Sequence, residues 1–97
     1  MRQIYVVIRK RGEAWQHHLP LEKQEAWHAH AKFMDDLYER GLALLVGPME
    51  GTNEALIIMR AESPKQVTTL LGDDPWSAMG LLLTTRIARW ELRLGSL

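Results

Sequence analysis

The apolar residues of this 97-residue chain fall into blocks with two different periods. Three blocks are short, continuous and aliphatic or β-branched: IYVVI (4–8), LALLV (42–46) and ALIIM (55–59). Each reads as a strand. A fourth strand is expected from about Thr84 to Leu94, where Ala88, Trp90, Leu92 and Leu94 alternate with Arg89, Glu91 and Arg93. Between the first two blocks the apolar residues recur at helical spacing, which predicts a helix from about Leu21 to Arg40. Gly41 stands where a left-handed C′ residue is wanted, and Arg40 suits the helix C-terminus. Ser63-Pro64-Lys65-Gln66 is a capping box that opens a second helix running to about Leu71. Gly72 to Trp76 (GDDPW) breaks it, and Asp74 before Pro75 can cap one further turn, 75–79. Gly47-Pro48 stops the second strand, and the turn at 49–53 makes 42–59 an antiparallel hairpin. Residues 10–21, with Gly12, His17, His18 and Pro20, have no period. Ordered connections of that length are often functional lids.

The resulting order, β-α-β-β-α-β, is a ferredoxin-like α+β fold: a four-stranded antiparallel sheet with helices on one face. Residues 1–97 form a single domain. A sheet with one wet face alternates apolar and polar residues, yet the first three strands are apolar on both sides. Two helices cover one face only. The 10–21 loop offers just Trp15 and Leu19 as large apolar groups for the other. The remaining cover is a second copy of the chain, packed sheet on sheet as a homodimeric α+β barrel.

Composition narrows the function classes. Acidic and basic residues number 12 each, which argues against nucleic acid and against a polybasic membrane anchor. There is no cysteine, so disulfide scaffolds, thiol nucleophiles and cysteine metal sites are excluded. The run Ile4–Ile8 is too short for a signal-peptide core or a membrane span, and cytoplasmic residence is the default expectation. The four histidines lack metal-ligand spacing, no G-x-S-x-G is present, and nothing calls for a cofactor. The sheet lacks the aromatic platform of RNA-binding ferredoxin-like domains.

One polar residue interrupts the apolar stripe of the first helix. At about 100° per residue, His30 shares its side with Ala26, Trp27, Phe33, Met34 and Leu37. Glu25, His28, Lys32, Asp35 and Glu39 fall opposite, so His28 and His30 do not form a chelating pair. Two readings stay open for His30. It is either a core histidine bonded to a backbone carbonyl, or a functional base whose partner is Asp73 or Asp74. For Asp74 the competing role is the ordinary helix cap.

The spacing H-x(10)-G-x(5)-GP (His30, Gly41, Gly47, Pro48), followed by Asp74-Pro75-Trp76, resembles the YCII-related (YciI-like) family over roughly residues 27–94 and the first strand. That resemblance implies a dimeric α+β barrel with a catalytic His-Asp pair in a pocket near the sheet, carried here by His30 and Asp74. Some members resemble small-molecule lyases, including enzymes that eliminate HCl from chlorinated aromatic intermediates. The long first loop departs from the family pattern. The implied function is a cofactor-independent lyase or isomerase acting on a small-molecule substrate. The alternative is a non-catalytic, dimeric ligand-binding or regulatory module. Gly47, Pro48 and Trp76 are further candidates for substrate binding. Arg9, leaving the first strand, either holds an anionic substrate or is a solvated strand end.

Overall fold

The computed structural model describes residues 2–97. In chain order the elements are β1 (Gln3–Arg11), α1 (Trp27–Glu39), β2 (Ala43–Pro48), β3 (Glu54–Ala61), α2 (Pro64–Gly72), α3 (Pro75–Ala78) and β4 (Leu82–Arg89). The sheet order is β2-β3-β1-β4 with every neighbouring pair antiparallel, which is the ferredoxin-like arrangement.

Strand alternation decides which side chains meet the helices. Tyr5 and Val7 of β1 pair in register with Met59 and Ile57 of β3. These four form the helix-side core with Met34 and Leu37 of α1 and Val67 and Leu71 of α2. The intervening residues point the other way. Val6 opposes Ile58 and Ala88, and Ile8 opposes Leu56 and Arg86. On that second face Leu45 is 56% exposed and Leu83 48%, so the sheet presents apolar groups to solvent.

The capping box forms with a one-residue offset. Ser63 Oγ accepts from the Gln66 amide at 3.1 Å, and Gln66 Oε1 accepts from the Glu62 amide at 2.7 Å. Gly41 takes the left-handed conformation (φ 74°) expected after α1.

Two expected boundaries are wrong. The helix expected from Leu21 starts only at Trp27. Residues Leu21–Lys23 make a 3-10 turn, and Ala26 is left-handed at φ 59°. The cause is competition for the 24–26 segment. The Gln24 carboxamide accepts from the Gln16 amide at 3.0 Å and donates to the carbonyls of Gln16 (2.8 Å) and Leu19 (3.0 Å). The Glu25 carbonyl accepts from the Trp76 indole at 2.6 Å. These bonds tie the segment to the loop and to α3 before the helix can propagate.

The strand expected to reach Leu94 ends at Arg89. Its neighbour β1 begins at Gln3, and the last rung is the Trp90 amide donating to the Ile4 carbonyl at 2.8 Å. Beyond it the alternating residues have no strand to pair with, and Leu94 is 92% exposed.

The first loop lies against the helix layer. Gly12 and Ala14 donate to the carbonyls of Leu81 (3.0 Å) and Gly80 (3.3 Å). A Cβ on Gly12 would collide with the Gly80 carbonyl oxygen. Trp15 then packs with Trp76, Leu81 and Leu82 in a second apolar cluster.

Candidate active site

β1 is one of the two inner strands of the sheet, paired on both sides as far as its charged end. Arg9 is therefore held inside the fold. Alternation places it on the same side as Tyr5 and Val7, and its side chain is 1% exposed. The expectation of a solvated strand end is thus overturned. A buried guanidinium needs a partner, and Arg9 finds several. One terminal nitrogen donates to Asp74 Oδ2 at 2.7 Å. The other donates to Ser77 Oγ at 2.6 Å and to the Leu82 carbonyl at 3.2 Å. Ser77 Oγ in turn donates a hydrogen bond to the Leu71 carbonyl at 2.7 Å.

Asp74 serves two purposes that the sequence left as alternatives. As N-cap of α3 its Oδ1 accepts from the Trp76 amide at 3.0 Å. The same carboxylate meets His30 Nδ1, with Oδ1 at 3.0 Å and Oδ2 at 2.9 Å. Burial pushes the Asp74 carboxyl up. Hydrogen bonds from His30, from Arg9 and from the Trp76 backbone outweigh that and hold it below the usual carboxylate value. An ionised carboxylate only accepts, so the Nδ1 facing it carries the proton.

His30 occupies the first turn of α1 and is 8% exposed. Its ring stacks on the Trp76 indole, with centroids 3.8 Å apart and planes within 5°. Trp76 is itself held edge-on by Trp15 at 5.5 Å. Carboxylate, stack and helix together fix the imidazole plane. Nε2 has no protein partner among the described residues and is not sealed from solvent.

A cavity of about 380 Å³ lies beside the ring, with His30 in its lining. Its floor and walls include Trp15, Trp27, Met34, Val46 and Ile57, and its polar lining includes Arg9, Arg11, His30 and Asp35. Gly47 and Pro48 border it. Trp76 does not: it is fully buried behind His30, so it supports the ring and is not a substrate-binding surface. Asp74 also lies behind the imidazole. His17, His18 and His28 are exposed and away from the site. Among the described residues, no three histidine, aspartate or glutamate side chains stand close enough together to hold a metal ion. Among the described residues, no helix is long and apolar enough to cross a membrane.

Sequence reasoning missed Arg11 and Trp15 as parts of this site. It also missed how deeply Arg9 is placed. A signal for Arg9 existed: it continues the inward set of Tyr5 and Val7, and an inward arginine implies a buried carboxylate.

A family model for the YCII-related domain matches residues 4–91. The chain belongs to this family. The matched span contains Arg9, His30 and Asp74, so the whole ion-paired assembly lies within the family's domain. No curated protein sequence matches the chain. Among solved structures, the chain is similar to 5-chloro-2-hydroxyhydroquinone dehydrochlorinase from Burkholderia phenoliruptrix AC1100, in complex with 2,5-dihydroxybenzoquinone. The TM-score is 0.66 at 23% identity, covering 91% of this chain and 93% of the other. At that identity the likeness establishes a shared fold.

Proposed function

We propose that this YCII-related protein is a cofactor-independent lyase or isomerase in which His30 takes a proton from a small molecule held in the cavity. The observation that carries the reading is the position of His30 between a buried carboxylate and an open cavity. Asp74 accepts a hydrogen bond from Nδ1–H and fixes the tautomer, which leaves Nε2 as an acceptor toward the substrate. Asp74 also stabilises the imidazolium formed when Nε2 gains a proton. Arg9 is a positioning residue here: it holds Asp74 ionised and prevents the carboxylate from turning away.

For a substrate with an acidic C–H beside a C–Cl bond, Nε2 removes the proton. The C–H electron pair becomes the new π bond, and chloride leaves. For an enolisable substrate, the same proton returns at another position. The family relation and the dehydrochlorinase of similar fold support elimination as the first chemistry to test.

The test is a screen of chlorinated hydroquinones and enolisable small acids with wild type and His30→Ala. Turnover by wild type, reduced about 10²- to 10⁴-fold in His30→Ala, is expected for loss of a general base. Tight binding with no turnover would make the protein a ligand-binding module.

The reading includes a homodimer. The first loop packs on the helix layer and leaves the second sheet face bare, and a second copy supplies an apolar face of matching character.

A further inference from the structure

Arg9 and Arg11 stand two residues apart on β1, so alternation turns both to the helix side where His30 lies. Their surroundings differ. Arg9 is ion-paired with Asp74. Arg11 is half-buried and lines the cavity, and its guanidinium has no carboxylate within ion-pair distance and no hydrogen-bond acceptor among the described residues. What it has is a platform: its guanidinium carbon lies 4.5 Å from the centre of the Trp15 ring. Stacking on an aromatic face occupies one face of the guanidinium plane and leaves its in-plane N–H groups free. Trp15 is fixed in turn, being 5% exposed and packed edge-on against Trp76. The cation is thus oriented without being neutralised.

Neither of the two carboxylates at the cavity, Asp35 and Glu54, is ion-paired with Arg11 among the described residues. Asp35 is exposed and borders the cavity from α1. Glu54 stands opposite Lys10 in the sheet register.

We propose that Arg11 is a specificity-determining residue that binds the carboxylate or other planar oxyanion of a small aromatic or conjugated acid in this cavity. The lining fits that class: tryptophan and aliphatic walls for a flat apolar body, and one oriented guanidinium whose paired N–H groups match two coplanar oxygens. This rests on the cavity being the substrate site, as proposed above. It adds that the substrate is an anion and that Arg11 selects it.

The probes are benzoate and benzamide, which share size and shape and differ in charge. Binding is read by tryptophan fluorescence, since Trp15 and Trp27 both line the cavity. Wild type is expected to prefer benzoate by about tenfold at low salt, with the preference weakening as salt rises. Arg11→Gln should abolish the preference while still binding benzamide, and Arg11→Lys should keep part of it. His30→Ala should retain the preference, which separates this result from the test of His30 as base. Equal benzoate preference in wild type and Arg11→Gln would overturn the proposal, as would failure of wild type to prefer benzoate. Lower thermal stability of Arg11→Gln with an unchanged benzoate-to-benzamide ratio would reduce Arg11 to a cover for Trp15.

Discussion

At the scale of single residues, Asp74 carries the largest share of the electrostatics. It is enclosed by Arg9, His30 and the Trp76 amide, and its carboxyl is held below the ordinary value. That has a definite sign for stability. A carboxyl whose pKa is depressed on folding binds fewer protons in the folded chain than in the unfolded one. Its contribution is fully present above the unfolded value of about 3.9 and is lost as pH falls through the lower folded value. Asp74→Asn should therefore unfold more easily at neutral pH, by about 3 kcal/mol, because it strands the buried Arg9 charge. It should also show a flatter stability profile between about pH 5 and pH 2 than wild type. Chemical denaturation across that range measures both. An equal loss for both proteins on acidification would show that another group governs the acid limb. His30 was visible in the sequence because a helix period placed it among Trp27, Met34 and Leu37. The residues alone narrowed its partner to Asp73 or Asp74, since an aspartate before Pro75 is equally well explained as a cap, and the family resemblance pointed to Asp74. The fold shows that one carboxylate does both.

At the scale of elements, the entry to α1 is the part under tension. Ala26 adopts φ 59°, a region that costs a residue with a Cβ about 1–2 kcal/mol. The Gln24 bonds to the loop, the Trp76 bond to the Glu25 carbonyl and the first turn carrying His30 hold it there. Ala26→Gly should relieve the strain and raise stability by about 0.5–1 kcal/mol after the added entropy of the unfolded glycine. Ala26→Val should lose more than that. Thermal melts of the two variants decide it, and a destabilised Ala26→Gly would mean that the Cβ packing near Trp27 matters more than the backbone. The elements themselves were legible where local chemistry sets them: the Ser63 cap, the Gly41 stop and the three apolar strands. The start of α1 and the end of β4 were not. The first depends on Gln24 reaching residues eight and five positions earlier. The second depends on where β1 begins, which no periodicity in residues 84–94 can reveal.

At the scale of the whole molecule, the helix side of the sheet is filled and carries the site, while the other side exposes Leu45, Leu83 and Trp90. Sedimentation equilibrium at micromolar concentration should give a mass twice the 11.2 kDa of one chain. A mass of one chain would leave that face without a partner and refute the homodimer. The function rests on one geometric claim, that Asp74 keeps the proton on Nδ1 and His30 offers a bare Nε2 to the cavity. Nitrogen-15 NMR of the imidazole, at a pH where the ring is neutral, reads the tautomer directly and needs no substrate. The expected result is a protonated Nδ1 and an unprotonated Nε2 in wild type, with the tautomers mixed or reversed in Asp74→Asn. A wild-type ring that carries its proton on Nε2 could not accept one from a substrate, and would contradict the assignment of His30 as the base.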